Sequence, residues 1–383
     1  MNNFLIIEYE FKGNGRNLRS KIRIVGFKTV KYVPKEEQVF FSVLKKRVNS
    51  YFGDSKSNKG NWKMYLKTFF QMLGYFLPFA TLFFWEGMPN WVFYSLWCIM
   101  GLFMAGMGLS IQHDANHGAY SPNATVNSIL GSLINFVGGS AHNWKIQHNI
   151  LHHTYTNVTG YDEDIHPVGF LRFSPNEELK GIHRFQHLYA WFFYGLMTLE
   201  WVTTKDFNGL KRYNKMGLVK TSYAKEFIKL IIWKTFYIGY VLVLPIIFLD
   251  NFSWFEILFG FLSMHFISGL MLGIIFQPAH VMETSNFPLP NEDMVIENTW
   301  AVHQMNTTVN FANNNFWLNW YAGGLNFQVE HHLFPNICHI HYKKISKIVK
   351  ETAKEFNVPY HEQPSFTAAI WNHAKMLKKL GRA

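Results

Sequence analysis

The fold is decided by residues 91–117, whose sequence is WVFYSLWCIMGLFMAGMGLSIQHDANH. The first 21 residues of this stretch contain no charged side chain. A helix of that length rises about 31 Å, which is enough to cross the hydrocarbon core of a bilayer. Three further stretches are similarly apolar, so the predicted membrane spans are 68–85, 91–111, 234–249 and 252–276.

The four predicted spans form two pairs, because the connection within each pair is very short. Residues 86–90 join the first two spans, and residues 250–251 join the last two. Such connections predict helical hairpins, and both hairpin tips then lie on one side of the membrane. None of the 36 Lys and Arg residues lies in either tip. The positive-inside rule therefore predicts that both termini and the central loop are cytosolic.

The composition supports a membrane protein and excludes several other classes. Of the 383 residues, 49% are hydrophobic and only 16% are charged, which is too apolar for a disordered chain. Two cysteines exclude a disulfide scaffold and a cysteine-only metal site. The excess of 36 basic over 25 acidic residues follows from the topology, so no nucleic acid is expected as a partner. A large soluble protein with buried core helices is the structural alternative.

We predict an all-α fold, a multi-pass membrane protein with four transmembrane helices in two hairpins and a cytosolic helical cap. The predicted domains are a basic cytosolic N-terminal arm, a membrane domain and a cytosolic helical tail, at residues 1–63, 64–345 and 346–383. In the arm, an amphipathic helix on the membrane face is predicted by apolar residues that recur every four positions, at Phe40, Leu44, Val48 and Phe52. Lys234 is expected to extend from the third span to the cytosolic interface.

Histidines from four separate places converge on the cytosolic face in this topology. His113 and His117 follow the second span with helical spacing, and His280 follows the fourth span. The central loop and the tail contribute the others, His148, His152, His153, His331 and His332. Imidazole is a common ligand for iron, zinc, copper and nickel, and eight imidazoles exceed what one ion needs. The pattern predicts a dimetal site, and a redox metal pair is favoured because no His-Glu-x-x-His zinc motif occurs.

At these residues the sequence resembles the integral-membrane fatty acid desaturases. The runs at 113–117, 148–153 and 328–332 are similar to the three histidine boxes of that family, and the resemblance extends over roughly residues 60–345. The sequence LNFQVEHHLFP at 325–335 is especially similar to the front-end subgroup. In that subgroup the third box begins with Gln, here Gln328, and the enzyme inserts a double bond between an existing one and the carboxyl end.

The resemblance implies a diiron centre that uses O₂ to introduce a cis double bond into an acyl chain. By position, the eight histidines would be its iron ligands. Gln328 is expected to orient a ligand or to bind through water. Because ligating imidazoles usually donate their outer N–H to an acceptor, four carboxylates are expected beside them, namely Asp114, Asp162, Asp164 and Glu330.

A substrate channel is expected beside the metal site. His265 lies inside the fourth span, where a titratable side chain is costly and often functional. His265 is expected either to line this channel or to bond across helices. Trp144, Trp317 and Trp320 are expected either to close the channel or to pack at the membrane interface. The remaining histidines are expected to be surface or satisfied loop residues, at His142, His166, His183, His187, His303, His339, His341, His361 and His373.

The electron donor is expected to be a separate protein. Many eukaryotic front-end members carry a fused cytochrome b5 domain, but no histidine precedes His113, so the N-terminal arm offers no paired haem ligands. A cytochrome b5-like or ferredoxin-like donor would be steered by the basic cytosolic face. The same face would hold the phosphates of an acyl-CoA or of an acyl-lipid head group. The membrane is expected to be a bacterial inner membrane or the endoplasmic reticulum.

Three other functions compete with the desaturase interpretation. A fatty acyl hydroxylase and a sphingolipid desaturase share the scaffold and the hydrogen abstraction, and products distinguish them. A membrane metal transporter or sensor would need polar groups through the bilayer, whereas the predicted spans are nearly free of carboxylates.

Overall fold

The computed structural model describes residues 7–12, 19–24, 29–33, 39–54, 56–165 and 169–382, so parts of the predicted N-terminal arm lie outside the described residues. The chain is mostly helical, as predicted. Its α-helices are α1 (Val39–Phe52), α2 (Trp62–Phe84), α3 (Asn90–Gly106), α4 (His113–Asn116), α5 (Ala124–Gly131), α6 (Leu133–Phe136), α7 (Ala141–Trp144), α8 (His153–Tyr155), α9 (Gln186–Glu200), α10 (Asp206–Lys215), α11 (Tyr223–Ile238), α12 (Leu244–Phe248), α13 (Trp254–His280), α14 (Trp300–Thr307), α15 (Phe316–Tyr321), α16 (Gln328–Leu333), α17 (Tyr342–Glu355) and α18 (Phe366–Leu380).

Short strands, which the sequence analysis did not predict, add a little sheet to the helical fold. Each described sheet has two strands, and one is antiparallel while the other two are parallel. The pairs are β1 (Ile7–Lys12) with β2 (Arg19–Ile24), β3 (Lys31–Tyr32) with β4 (Val295–Ile296), and β5 (Asn310–Phe311) with β6 (Glu362–Gln363). The two parallel pairs join distant parts of the chain and brace the loops that precede and follow α14.

Three described helices are long and apolar enough to cross a membrane. The first, Asn90–Asn116, joins α3 to α4 through a π-helical turn. The second, Tyr223–Phe248, joins α11 to α12 in the same way, and the third is α13. They correspond to the second, third and fourth predicted spans. The third span begins well before residue 234, because the helix starts at Tyr223.

The first predicted span coincides with α2, which begins at Trp62 and is capped by the side chain of Asn61. This helix is not among the three, since Lys67, Gln71 and Pro78 reduce its hydropathy. Its outward face is nevertheless strongly apolar, with exposed side chains at Tyr65, Leu66, Phe69, Phe70, Leu73, Phe76 and Leu77. The number of spans predicted from the sequence, four, therefore stays a prediction.

Helix α13 is the central element, because both α3 and α9 pack along it. Glycines permit the close approach. A Cβ atom on Gly101 would lie 2.4 Å from the backbone oxygen of Met264, and one on Gly269 would lie 2.6 Å from that of Gly195. Small residues at helix contacts are typical of membrane bundles, where backbones pack closely without a hydrophobic driving force. The contacts align the ends of α4 and α13, which carry histidines.

Helix α1 differs from its predicted place on the membrane face. The predicted helix exists and its four apolar residues are buried, but they pack against α17 and the segments around α14 and α16. Arg47 also forms an ion pair with Glu355 of α17, with 2.7 Å between Nη2 and Oε2. The sequence showed that an apolar face existed and not that protein would cover it.

Lys234 does not extend to the interface as predicted. Its ammonium is buried, 2.5 Å from the Asp206 carboxylate and 2.5 Å from the backbone oxygens of Gly138 and Trp201. Asp206 also accepts a hydrogen bond from Asn143. The reason is that α11 begins before residue 234, which places the lysine inside the helix and beside α10. One buried ion pair thus ties α11 to α10 and to the loop before α7.

We expect Asp206→Asn to destabilise the fold, because it leaves the Lys234 ammonium buried without a counter-ion. Losing one partner of a buried ion pair costs about 3–5 kcal/mol. The melting temperature of the purified protein in detergent, followed by scanning fluorimetry, should fall by several degrees. The double variant Lys234→Met/Asp206→Leu removes both charges and should regain part of that loss. An Asp206→Asn protein as stable as the parent would contradict the importance of the pair.

Candidate metal centre

All eight predicted histidines meet in one buried cluster. They come from α4 and the residue after it, from the π-helical segment Lys145–His152 and α8, from the end of α13, and from α16. Their nitrogens form groups in which all ligand atoms lie within 4.8 Å of one another. One group is His113, His117, His148 and His331, a second is His152, His280 and His332, and a third is His153, His331 and His332. His153 and the third box therefore lie between two possible ion positions.

Local helix geometry sets the directions of these rings. The π-helical turn Met107–Gln112 precedes His113 and changes the rotation of the helix just before the first box. A second π-helical segment carries His148 and His152, whose rings stack with 5.1 Å between centroids. Segments of π-helix are frequent at functional sites. The ring of His153, the next residue, is nearly perpendicular to that of His152, at an interplanar angle of 82°.

The inner nitrogens of the cluster suit metal binding. The Nε2 atoms of His113 and His148 are 3.1 Å apart, and those of His153 and His148 are 3.2 Å apart. Within the cluster, five buried Nε2 atoms have no hydrogen-bond partner among the described residues, those of His117, His152, His280, His331 and His332. Buried polar atoms without partners are costly, and a shared ion satisfies them. The donor set therefore fits two metal ions held by imidazole.

Burial keeps most of these imidazoles neutral, which metal binding requires. Burial and the neighbouring imidazoles hold the pKa of His148, His153, His331 and His332 well below the usual value. His152 differs. Burial lowers its pKa, but the carboxylates of Asp162 and Asp164 outweigh burial and raise the pKa to about 9. A metal at its Nε2 must therefore displace a proton, while Nδ1 keeps its own.

Two of the four predicted carboxylates accept hydrogen bonds from the cluster. The Nδ1–H of His152 donates to both oxygens of Asp162 at 3.0 Å, and the backbone N–H of Asn157 holds that carboxylate at 2.8 Å. Asp164 is 3.4 Å from the Nδ1 of His148 and also accepts from Gln147 at 2.5 Å. Both carboxylates orient the rings as expected.

The other two predicted carboxylates have different partners. Asp114 lies 3.9 Å from the Nδ1 of His113, but it accepts a hydrogen bond at 2.8 Å from the Nδ1 of His339. Glu330 bonds to Asn310 and Tyr360 instead of to an imidazole, and burial raises its pKa to about 8. Asp114 therefore has His339 as its nearer partner and His113 as a more distant one. Glu330 has no imidazole among its hydrogen-bond partners, and the predicted role of both carboxylates stays a prediction.

His339 was predicted to be a surface or loop residue and is instead buried. Its Nε2 lies 3.1 Å from the ammonium of Lys67, so Asp114, His339 and Lys67 form a buried chain from α4 to α2. His183, His303 and His373 are also buried, and His166 lies outside the described residues. The sequence offered no local signal for these histidines, because only the fold covers them.

Sequence reasoning also missed three acceptors for the outer nitrogens of the cluster. Gln304 accepts from the Nδ1 of His332 at 2.8 Å, Tyr342 lies 3.3 Å from the Nδ1 of His331, and the backbone oxygen of Thr307 lies 3.4 Å from that of His280. Gln328 lies beside His280, buried, with neither amide atom in a conventional hydrogen bond to a described residue. Its predicted role near the metal remains a prediction.

Two adjacent cavities border the cluster. The inner cavity is lined by α3, α4, α9 and α13 and reaches His113. The outer cavity reaches His148, His280 and Lys205. They share four wall residues, Trp144, Trp201, Leu272 and Phe276. The inner cavity extends further back along α13, away from His280, so it lies deeper in the helical bundle.

Of the four predicted channel residues, only Trp144 lines these cavities, and its ring stacks on His148 with 4.5 Å between centroids. His265 lies behind the wall and bonds across helices to Tyr237 at 2.7 Å and Thr198 at 3.0 Å. Trp317 is 76% exposed, and Trp320 lies beside Lys67. His265 thus follows the second of its two predicted roles, a bond across helices. The channel role of Trp317 and Trp320 stays a prediction.

Comparison with known proteins agrees with this arrangement. The sequence profile named "Fatty acid desaturase" matches residues 89–364, which contain the whole cluster. The chain belongs to the fatty acid desaturase family.

It is 38% identical over 353 residues to the sn-1 linoleoyl-lipid 6-desaturase of Synechocystis sp., a match that covers 91% of this chain and 97% of that protein. It is 37% identical over 362 residues to the acyl-lipid (8-3)-desaturase of Physcomitrium patens, covering 92% and 74%. Over 346 residues it is 36% identical to the sn-1 linoleoyl-lipid 6-desaturase of Arthrospira platensis, covering 89% and 92%.

The predicted family is thereby confirmed. The chain is a membrane-associated oxidoreductase of lipid metabolism, a fatty acid desaturase of the front-end type in which Gln328 begins the third box. The histidine cluster is the site at which this desaturase fits a metal cofactor. The transporter and sensor alternatives are excluded by family membership.

Asp162→Asn should weaken metal binding by the desaturase about 10- to 100-fold, because it removes the acceptor that fixes His152. Asp164→Asn should have a smaller effect, since its imidazole contacts are longer, at 3.4 and 3.5 Å. Metal retained per chain after dialysis against increasing chelator measures both effects. Asp293→Asn, in an exposed loop, is the control and should retain metal like the parent. Equal retention by all three variants would contradict the role of Asp162.

Proposed function

We propose that this desaturase acts on acyl chains carried by membrane lipids and introduces a cis double bond on the carboxyl side of an existing one. The names of its relatives, which describe lipid-linked acyl chains, support the carrier. The observation that carries the proposal is the pair of cavities meeting at the histidine cluster. One cavity suits the methyl part of an acyl chain, and the other suits the part nearest the head group.

The two ions are proposed to be iron. One would be held by His113, His117, His148 and His331, the other by His152, His280 and His332, with His153 between them. Iron of this kind supplies the oxidising power, drawn from O₂, that removes two hydrogens from an unactivated chain. Gln328 is proposed to lie beside the second ion and to bind it weakly or through water.

The residues around the cavities position the chain. Trp144 forms part of the shared wall and stacks on His148, so the acyl chain and the ligand shell contact the same side chain. Phe276 lies on the same wall, with its ring centroid 5.9 Å from that of His148. Bulky rings at this junction exclude water and fix which carbons lie next to the cluster. The length of the outer cavity then sets the distance from head group to new double bond.

Lys205 is proposed to contact the head group. It lines the outer cavity and its ammonium lies 5.3 Å from the centroid of the Trp201 ring, part of the shared wall. A cation at the mouth of an apolar cavity attracts the phosphate or carbonyl oxygens of a lipid. Electrons are proposed to come from a separate acidic donor of the cytochrome b5 or ferredoxin class, attracted by the basic cytosolic face.

Lipid analysis tests this function. Cells that express the chain and are supplied with oleate and linoleate should accumulate acyl-lipids with one additional double bond nearer the carboxyl end, located by mass spectrometry. His152→Ala should abolish the product and lower the iron content from about two per chain, because it removes a ligand. His361→Ala, outside the cluster, is the matched control and should behave like the parent. Hydroxylated lipids without new double bonds, or an active His152→Ala protein, would contradict the proposal.

The proposed topology has four spans, including α2, with the cluster and both termini in the cytosol. The apolar outward face of α2 and the absence of Lys and Arg from the hairpin tips support it. A membrane-impermeant maleimide should label Asn251→Cys in intact cells but should label Lys347→Cys only after lysis. Both positions are exposed in the fold, so accessibility reports the side of the membrane. Labelling of Lys347→Cys in intact cells would contradict this orientation.

A further inference from the structure

The inner cavity contains a hydroxyl group without a partner. Ser268, on α13, lines this cavity and is 1% exposed, and its Oγ atom makes no hydrogen bond to any described residue. An unsatisfied hydroxyl inside a helical bundle normally costs about 1–3 kcal/mol. A side chain that keeps this cost in the wall of a cavity should gain a partner when the cavity is filled.

Other hydroxyls in the same helices are satisfied. Ser110 donates to the backbone oxygen four residues earlier at 2.7 Å, and Ser263 does the same at 2.8 Å. Thr198, the other hydroxyl in the wall of the cavity, bonds to the backbone oxygen of His265 at 2.8 Å and to its ring at 3.0 Å. The hydroxyl of Ser268 therefore lacks the backbone partner that each of these three hydroxyls has.

The depth of Ser268 follows from the packing of α3 against α13. Gly101 contacts Met264, and a Cβ atom on Gly108 would lie 3.8 Å from Leu272, so the two helices run side by side in the same direction. Ser268 is then level with about residue 105, roughly 10 Å deeper than Gln112 at 1.5 Å per residue. It lies well beyond the cluster, in the part of the cavity assigned to the methyl half of the chain.

An acyl chain offers few partners to a hydroxyl at that depth. Its carbonyl oxygens lie at the other end, and its methylene groups accept no hydrogen bond. The π electrons of a cis double bond are a weak acceptor. We propose that Ser268 is a specificity residue, which donates its O–H to a double bond already present in the methyl half of the substrate. This inference rests on the proposed function, because it assumes that the inner cavity holds the methyl half.

The consequence is a preference for polyunsaturated chains. A chain that is saturated at this depth leaves the hydroxyl unsatisfied, whereas a double bond there gives it a partner.

Gln112 and Asn116 also have buried amide atoms without partners in the cavity wall, but they lie one turn apart on the helix and can share a partner with each other. The polar neighbour of Ser268 one turn away on α13 is His265, and both ring nitrogens of His265 already have partners, Tyr237 and Thr198.

A competition experiment tests this role. Cells that express the protein are supplied with equal amounts of oleate, linoleate and α-linolenate, which share their first double bond and differ only toward the methyl end. The ratio of desaturated products, corrected for the supplied lipids, measures the preference. Ser268→Ala should lower the preference for the two polyunsaturated chains over oleate about two- to fivefold, the size of one weak hydrogen bond. Ser268→Thr keeps the hydroxyl and should preserve the preference.

Ser263→Ala is the control, because Ser263 lies on the same helix, is half-buried outside the inner cavity, and is already satisfied. Iron content and melting temperature of each variant show whether it folds. A Ser268→Ala enzyme with the preference of the parent, or one that loses activity equally on all three chains, overturns the inference. If the parent desaturates none of the three chains, the proposed function itself fails. These outcomes are separate, since the preference is a ratio and the function is the presence of product.

Discussion

The rest of the structure depends on holding eight imidazoles at one place with their Nε2 atoms facing inward. Rings from two boxes satisfy the outer nitrogen with protein, through Asp162, Gln304 and Tyr342. The inner nitrogens then have only one another and a metal for partners. Burial keeps most of the rings neutral, so the same desolvation that makes the cluster costly without metal prepares it for metal.

This requirement explains why the helices pack so closely. The rings come from distant segments, and a shift of one residue in any helix would turn a ring away from the cluster. Glycine contacts between α3, α9 and α13 and the π-helical turns before His113 and around His148 fix these directions. The cavities share elements with the cluster, since Trp144 and Phe276 contact both. Metal binding and chain positioning are therefore properties of one packed unit.

The predictable parts of the site are those with a local cause. Histidines spaced at i and i+4 share a helix face, and His-His pairs point to two sides, so their roles follow from neighbouring residues. Asp162 and Asp164 follow the second box closely and bond back to it. Asp114 and Glu330 are as close to histidines in sequence but bond to His339 and to Asn310, because the turn before α17 and strand β5 offer nearer partners. The predicted places of Lys234 and α1 were wrong for the same reason. Protein covers both of them, and not the membrane interface.

The sequence by itself determined the family, the apolar spans and the identity of the clustered histidines. These features depend on residue type and on short distances along the sequence. A short segment of the chain therefore encodes them without contacts to other segments. Only the tertiary structure decided which acceptors orient the rings, that His339 is buried, and that Ser268 faces a cavity while His265 does not. Those features arise where segments far apart in the chain meet, and the directions of side chains there are set by packing that no single segment encodes.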